Sequence, residues 1–247
     1  MPLKPLPPHI NIDNAQTQIG VNQTVLTYVY NKFENKPDFT ALDLPCGNTE
    51  FLTYTKQLFP ASSLTGGDLF TPAKTDHINF HQMDLTEDFP FPTEARFDLV
   101  TTISGVMMFS NTLRFLKNCT HHLKSGGTFI LTNDNSSNIK DRLAFMFFGR
   151  YRIFNLVFED DQLMTENVPI NELVRIIRNH DIEIEDIVYT SLYKKDWIYA
   201  PIAAIVYATQ YLYLKRMKTR LPEALKWKMY PFRHLLCRHY IIYGKKK

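Results

Sequence analysis

The chain has 247 residues, 45% of them apolar, and its 28 Lys and Arg against 25 Asp and Glu leave a net charge of +3. That length supports one substantial core, at about 100–200 residues per domain. The small charge, with both signs interspersed, gives no nucleic-acid footprint. Cys46, Cys119 and Cys237 have neither C-x-x-C pairing nor neighbouring His spacing, which argues against a disulfide frame or a zinc site and fits a reducing compartment.

The first segment, residues 1–39, opens as a Pro-rich extended arm without the apolar centre of a secretory signal. Val25, Leu26, Val29, Tyr30 and Phe33 then recur at three- and four-residue steps, predicting an amphipathic helix from Asn22 to Phe33. Ala41 to Phe51, A-L-D-L-P-C-G-N-T-E-F, reads as a strand, a tight loop and a helix start. Beyond such a strand end, loop backbone and helix N-terminus offer unpaired N–H donors to nucleotide-like ligands. Only Gly47 stands where a glycine fingerprint wants one. Phe51, Leu52, Thr55, Leu58 and Phe59 mark a helix ended by Pro60.

Ser63 to Thr65 follows as a short strand, Gly66 and Gly67 permit close approach, and Asp68 sits at its end. Asp68 follows Gly47 at about the twenty-residue interval where an acidic side chain meets ribose hydroxyls in Rossmann-like sheets. Ile78 to His81 is a further strand, with Met83-Asp84-Leu85 at its carboxyl end. Phe97 to Ile103 reads as a buried parallel strand. Thr112 to Leu123 reads as a helix with Leu113, Phe115, Leu116, Cys119 and Leu123 inward, broken by Ser125-Gly126-Gly127; His121 and His122 are expected at the surface. Thr128 to Thr132 is the fifth strand, and the alternation implies right-handed crossovers and a mostly parallel sheet.

Residues 133–169 form an insertion, with an aromatic-rich helix around Arg142 to Phe148 and an acidic patch at 159–161. A helix from Asn171 to His180 precedes the alternating, half-exposed strand Ile182 to Tyr189, for which His239 to Tyr243 is a candidate antiparallel partner. Between them, Trp197 to Leu214 carries no charge, with Lys194 and Lys195 before it and Lys215, Arg216, Lys218 and Arg220 after it. Pro201, Thr209 and Gln210 argue against a spanning helix. Basic residues at both ends suit a helix lying in an anionic interface; a cover over the sheet edge or substrate cleft, or a dimer contact, is equally open.

The order of these pieces resembles the class I S-adenosylmethionine-dependent methyltransferases over Thr40 to Thr190, and in particular a bacterial branch with an L-D-L-P-x-G first loop. Leu42 to Gly47 matches that loop, Gly67-Asp68 a Gly-Asp pair, Asp84 to Val100 an Asp-Leu pair leading to Phe-Asp-Leu-Val, and Leu123 to Gly127 a Leu-Lys-x-Gly-Gly element. Asn135, Asn138, Arg142, Leu143, Phe147, Phe148 and Gly149 stand in register with the branch beyond the fifth strand. The branch usually has Gly where this chain has Thr49, Glu-His at Met107-Met108, Pro at Asp134, and a His near Glu166.

The resemblance implies an α/β, Rossmann-like sheet of seven strands, mostly parallel with an antiparallel last strand, flanked by helices. The core would be 40–190, a helical insertion 191–236 and the final strand and basic tail 237–247. It implies S-adenosylmethionine as cofactor, no metal, and direct methyl displacement onto a small molecule or a cell-envelope glycan or lipid-linked acceptor. Peripheral membrane contact through 194–220, at the inner face of the membrane of a cytoplasmic protein, is the matching expectation. Pro45, Cys46 and Gly47 would meet the methionine moiety, Asp68 the ribose, and Asp84 with Met83 the adenine, with Leu69 and Leu85 beside them. Ser104 and Gly105 would flank the methyl group, and Asp43 would orient the loop from below. Thr49 either obstructs the cofactor or bonds its carboxylate. Asp134 and Glu166 are the candidate general bases, and Met107-Met108-Phe109 is core or acceptor wall. A methyltransferase-like binding subunit without catalysis is the alternative. Against a nicotinamide dehydrogenase stand two missing glycines and the Gly126-Gly127 element.

Overall fold

β1 (Thr40–Asp43) is buried along nearly its whole length, as a strand covered on both faces by helices must be. The computed structural model describes residues 3–14, 16–106, 111–152, 157 and 166–247. The Met107-Met108-Phe109 cluster and the acidic patch at 159–161 lie outside them. Around β1 the chain runs α1 (Val21–Phe33), β1, α2 (Glu50–Leu58), β2 (Ser63–Asp68), β3 (Asn79–Gln82), β4 (Phe97–Thr102), α3 (Thr112–His121), β5 (Leu123–Asp134) and α4 (Ile139–Phe148). It continues with α5 (Ile170–Asn179), β6 (Ile182–Thr190), a 3-10 turn (Lys194–Tyr199), α6 (Ala200–Arg216), α7 (Glu223–Met229), a second 3-10 turn (Phe232–Leu235) and β7 (His239–Lys246).

The seven strands lie in the order β3-β2-β1-β4-β5-β7-β6. Pairs β1–β2, β2–β3, β1–β4 and β4–β5 are parallel, while β7 runs antiparallel to both β5 and β6. This is the expected Rossmann-like sheet with one antiparallel strand and a helical insertion ahead of it. Strand order reverses between β1 and β4, which opens a crevice above their carboxyl ends.

Side chains alternate across each strand, so neighbouring residues feed opposite cores. Ala41, Leu99, Ile130 and Ile241 pack with Val25, Leu26 and Val29 of α1 and with Leu52 of α2. Leu42, Val100, Phe129 and Ile242 pack on the other face with Phe115, Leu173, Val174 and Leu225 of α3, α5 and α7. A small third cluster, with Ile139, Ala203, Leu235 and Leu236 at its centre, joins α4 to α6.

Some local expectations are corrected. β2 runs on through Gly66, Gly67 and Asp68. Ser125-Gly126-Gly127 does not break a helix, since α3 has already ended and these residues form a bulge inside β5, where the register with β4 shifts between Phe97 and Leu99. Leu113 is exposed. His122 is buried, because its Nδ1 lies 2.9 Å from the Ala95 carbonyl and its ring stacks on Phe89 at 6.0 Å.

Candidate functional site

The loop after β1 is stitched to both neighbouring strands. Leu44 donates its N–H to Thr101 O at 3.0 Å, and Cys46 donates to Gly67 O at 3.0 Å, across a cis Leu44–Pro45 peptide. Two glycines let the strand ends approach this closely. A Cβ on Gly105 would collide with the Pro45 ring, and one on Gly67 with the Met83 and Leu44 side chains.

Asp68, at the end of β2, accepts the Gly47 N–H through Oδ2 at 2.9 Å and the Phe70 N–H through Oδ1 at 3.3 Å. Asp84, in the loop after β3, accepts the Thr86 N–H at 2.9 Å and its hydroxyl at 2.7 Å, and these two bonds hold its carboxyl below the usual range. Both donors act on one oxygen, Oδ1, which leaves Oδ2 without them. Asp43 is buried under the loop. Burial pushes its carboxyl up to about 7, against the hydrogen bond donated by Thr101 Oγ1 at 2.6 Å. Burial also raises the Cys46 thiol, which keeps it protonated.

Thr49 keeps the left-handed backbone, φ 63°, that a glycine would adopt there freely. Its side chain is buried, and its hydroxyl donates to the Lys74 carbonyl at 3.1 Å. The next residue, Glu50, was not among the expected site residues. Its Oε2 is buried without a hydrogen-bond partner, and burial, with the charge of Asp13 second, raises its carboxyl.

Ser104 turns away from the end of β4 with φ 55°, a conformation costing a non-glycine residue roughly 1–3 kcal/mol. It is fixed by donating its N–H to Thr132 Oγ1 at 2.8 Å. Its hydroxyl lies 2.5 Å from Thr17 Oγ1 of the N-terminal arm and 3.4 Å from Nε2 of the fully buried His239. His239 Nδ1 is 3.5 Å from Asp134 Oδ1. Burial works to raise the Asp134 carboxyl, but His239 first and then Arg152, at 2.9 Å, hold it below its ordinary value. Nothing in the sequence paired His239 with Asp134. They become neighbours only through the antiparallel β5–β7 register.

Asp43, Pro45, Cys46, Gly47, Asp68, Leu69, Asp84, Leu85 and Ser104 all line one cavity of about 660 Å³, together with Glu50, Phe51, Phe70, Ile103, and Gln16, Thr17 and Asn22 from the N-terminal segment. Thr49, Met83 and Gly105 are not among its lining residues. Asp134 stands behind Ser104 and His239. Glu166 lies apart, accepting the Thr112 hydroxyl at 2.6 Å where α3 begins. Another cavity, of about 740 Å³ between α5, β6 and α7, holds none of the expected site residues.

The cavity at the strand-order reversal, with acidic groups at the ends of three strands, defines a nucleotide-type ligand site on a doubly wound sheet. Residues 42–131 match the family of methyltransferase domains. Among solved structures, the chain is similar to the 1,6-didemethyltoxoflavin-N1-methyltransferase of Burkholderia thailandensis, with bound 1,6-didemethyltoxoflavin and S-adenosylhomocysteine (12% identity, 92% of this chain and 79% of that one, TM-score 0.52). It is similar also to the magnesium protoporphyrin IX methyltransferase of Synechocystis PCC 6803, with bound S-adenosylhomocysteine (10% identity, 92% and 81%, TM-score 0.53). A third is an S-adenosylmethionine dependent methyltransferase of Mesorhizobium loti (13% identity, 84% and 91%, TM-score 0.52). No curated protein matches the chain in sequence. The chain thus shares the fold of these proteins, and the methyltransferase match over residues 42–131 directs the comparison of the cavity to S-adenosylmethionine.

The residues present suit that group. The cavity volume falls in the range of about 300–1,000 Å³ typical of small-molecule sites. Asp68 and Asp84 offer carboxylate acceptors to ribose hydroxyls and an exocyclic amine, and the partnerless Glu50 oxygen suits a cationic amino group.

Proposed function

We propose that the chain binds S-adenosylmethionine in the 660 Å³ cavity and transfers its methyl group to an oxygen or nitrogen of a small molecule or a cell-envelope glycan or lipid-linked acceptor, inside the cell. The observation that carries this reading is the convergence of the 45–48 loop, Asp68, Asp84 and Ser104 on one cavity. When bound, the cofactor supplies an electrophilic methyl group on a positively charged sulfur. Displacement needs neither metal nor covalent residue. The acceptor lone pair forms the new bond to carbon as the carbon–sulfur bond breaks, and sulfur keeps the electron pair. The chain's largest contribution is then alignment, for which intramolecular models suggest roughly 7–11 kcal/mol.

In this reading Pro45, Cys46 and Gly47 present backbone to the methionine moiety and Glu50 takes its ammonium group. Asp68 accepts from the ribose hydroxyls, and Asp84, backed by Met83 and flanked by Leu69 and Leu85, accepts from the adenine amine. Asp43 and Thr49 hold the loop, and Gly105 keeps the Ser104 turn against Pro45. A proton shed by a hydroxyl acceptor has a route through Ser104 Oγ to His239 Nε2. Asp134 would then be a positioning residue behind His239, while Glu166 serves the start of α3. A general base of this kind contributes typically 10²–10⁴ in rate. The arm and α1 (1–39), the core (40–190), the insertion (191–236) and the last strand (237–247) work as one unit, because the arm and the last strand both supply groups at Ser104. Calorimetric titration with S-adenosylmethionine and S-adenosylhomocysteine tests the reading: saturable binding is expected, and a wild-type chain that binds neither overturns it.

A further inference from the structure

Of the 17 residues of α6 only Ala203 and Leu214 are buried. Ile198 in the preceding turn and Ile202, Ile205 and Leu212 in the helix repeat at three-, four- and seven-residue steps, and all are exposed, Ile205 by 73%. A second exposed stretch closes α4, where Phe145, Met146, Phe147 and Phe148 are 52% to 69% exposed. Single exposed apolar side chains are ordinary, but two such stretches on touching helices are not. The helices touch through Ile139, Leu143, Tyr199, Ala203 and Tyr207, so both stretches belong to one lobe.

Over residues 191–222 the exposed charge has one sign. Lys194 and Lys195 precede the apolar run, and Lys215, Arg216, Lys218 and Arg220 follow it. The single carboxylate between residues 191 and 222 is Asp196, which is buried in a two-point ion pair with Arg238, both contacts at 2.6 Å. No helix among the described residues is long and apolar enough to cross a membrane. An apolar strip with cations at both ends and no exposed carboxylate between residues 191 and 222 complements a surface that is apolar beneath and anionic above, which describes an acidic lipid bilayer.

We propose that the α4–α6 lobe docks on the surface of an anionic bilayer, its apolar side chains entering the headgroup boundary and its basic residues meeting lipid phosphates. α4 starts a few residues beyond the carboxyl end of β5, at the same end of the sheet as Ser104. Docking therefore sets the acceptor side of the cavity beside the membrane and suits an acceptor with a lipid tail; this last clause rests on the methyltransferase reading, while the docking itself does not.

The test is flotation of the full chain with vesicles of phosphatidylcholine alone and of equal parts phosphatidylcholine and phosphatidylglycerol. Wild type is expected to float with the anionic vesicles only, less so as salt is raised. Ile205→Asp and Phe147→Asp, both at exposed positions, are each expected to weaken binding by roughly tenfold or more, as is the joint change of Lys215, Arg216, Lys218 and Arg220 to Gln. Failure of the wild type to float, equal binding to both vesicle types, or binding unchanged in all variants overturns the proposal. So does a dimer by light scattering that Ile205→Asp dissociates, since the face would then be a protein contact. Lipid-free S-adenosylhomocysteine titration of the same samples verifies that the variants are folded. Loss of that binding in every sample, wild type included, would sink the methyltransferase reading and leave the flotation result standing.

Discussion

Asp68 reaches across the crevice from the end of β2 and accepts the Gly47 backbone N–H at 2.9 Å. One carboxylate thus fixes the loop and faces the cavity. Asp68→Ala is expected to cost the site both a latch and a charged acceptor, each worth about 1.5–3 kcal/mol where a charged group is involved. S-adenosylhomocysteine affinity should fall by tenfold or more in calorimetry, and Asp68→Asn, which keeps an acceptor oxygen, should fall less. An unchanged affinity in Asp68→Ala would remove this residue from the site.

Thr49 is engaged within the chain. Its hydroxyl is spent on the Lys74 carbonyl and its side chain is buried. Thr49→Gly should therefore change cofactor affinity by no more than about threefold, within about 0.7 kcal/mol. Relief of the left-handed strain, roughly 1–2 kcal/mol, should be offset by the lost hydrogen bond of about 1 kcal/mol. A large gain in affinity would mean that the side chain obstructs the ligand after all.

The buried Asp43 gives stability a pH dependence whose sign follows from its raised carboxyl, at about 7 when folded against about 3.9 unfolded. The folded state holds its proton more tightly, so this contribution is fully present below about pH 4 and is lost as pH rises through about 7. The difference in unfolding free energy between wild type and Asp43→Asn should shift against wild type across that window by at most on the order of 4 kcal/mol. Urea unfolding of both proteins at a series of pH values checks it, and a flat difference would show that Asp43 ionises in the acid range.

Arg152 joins two carboxylates, Asp134 at 2.9 Å and Asp141 at 3.1 Å, where Asp141 is completely buried. Replacing it by Met would leave both acids without this partner and should cost about 3–5 kcal/mol in urea unfolding. Arg152→Lys keeps the charge but cannot span both acids, so an intermediate loss is expected.

What the sequence disclosed divides by range. β1 and β4 are short, contiguous apolar runs, and the loop between Asp43 and Glu50 has its turn residues beside them, so both were legible locally. Ser125-Gly126-Gly127 misled because a glycine pair reads as a helix stop, whereas here it is a bulge in β5 between residues that pair with β4 on either side. His122 looked like a surface residue until Phe89 and the Ala95 carbonyl, from a separate loop, enclosed it. The site shows the same division. Asp68 and Asp84 follow strand ends and line the cavity, but His239 meets Ser104 across 135 positions, and Thr17 meets it across 87. No periodicity or spacing encodes such contacts.

β7 lies inside the sheet although it follows the other six strands in the sequence, holding β5 on one side and β6 on the other. A nascent chain that has emerged only as far as Thr190 therefore has β6 with no neighbour to join and β5 with a bare edge. The sheet can assemble from β3 through β5 during synthesis, but its far end waits for residues 239–246, and those same residues bring His239 to the crevice. Ribosomal delay in the long stretch between β6 and β7 would prolong the life of an open-edged intermediate, the species in which strands pair with the wrong chain.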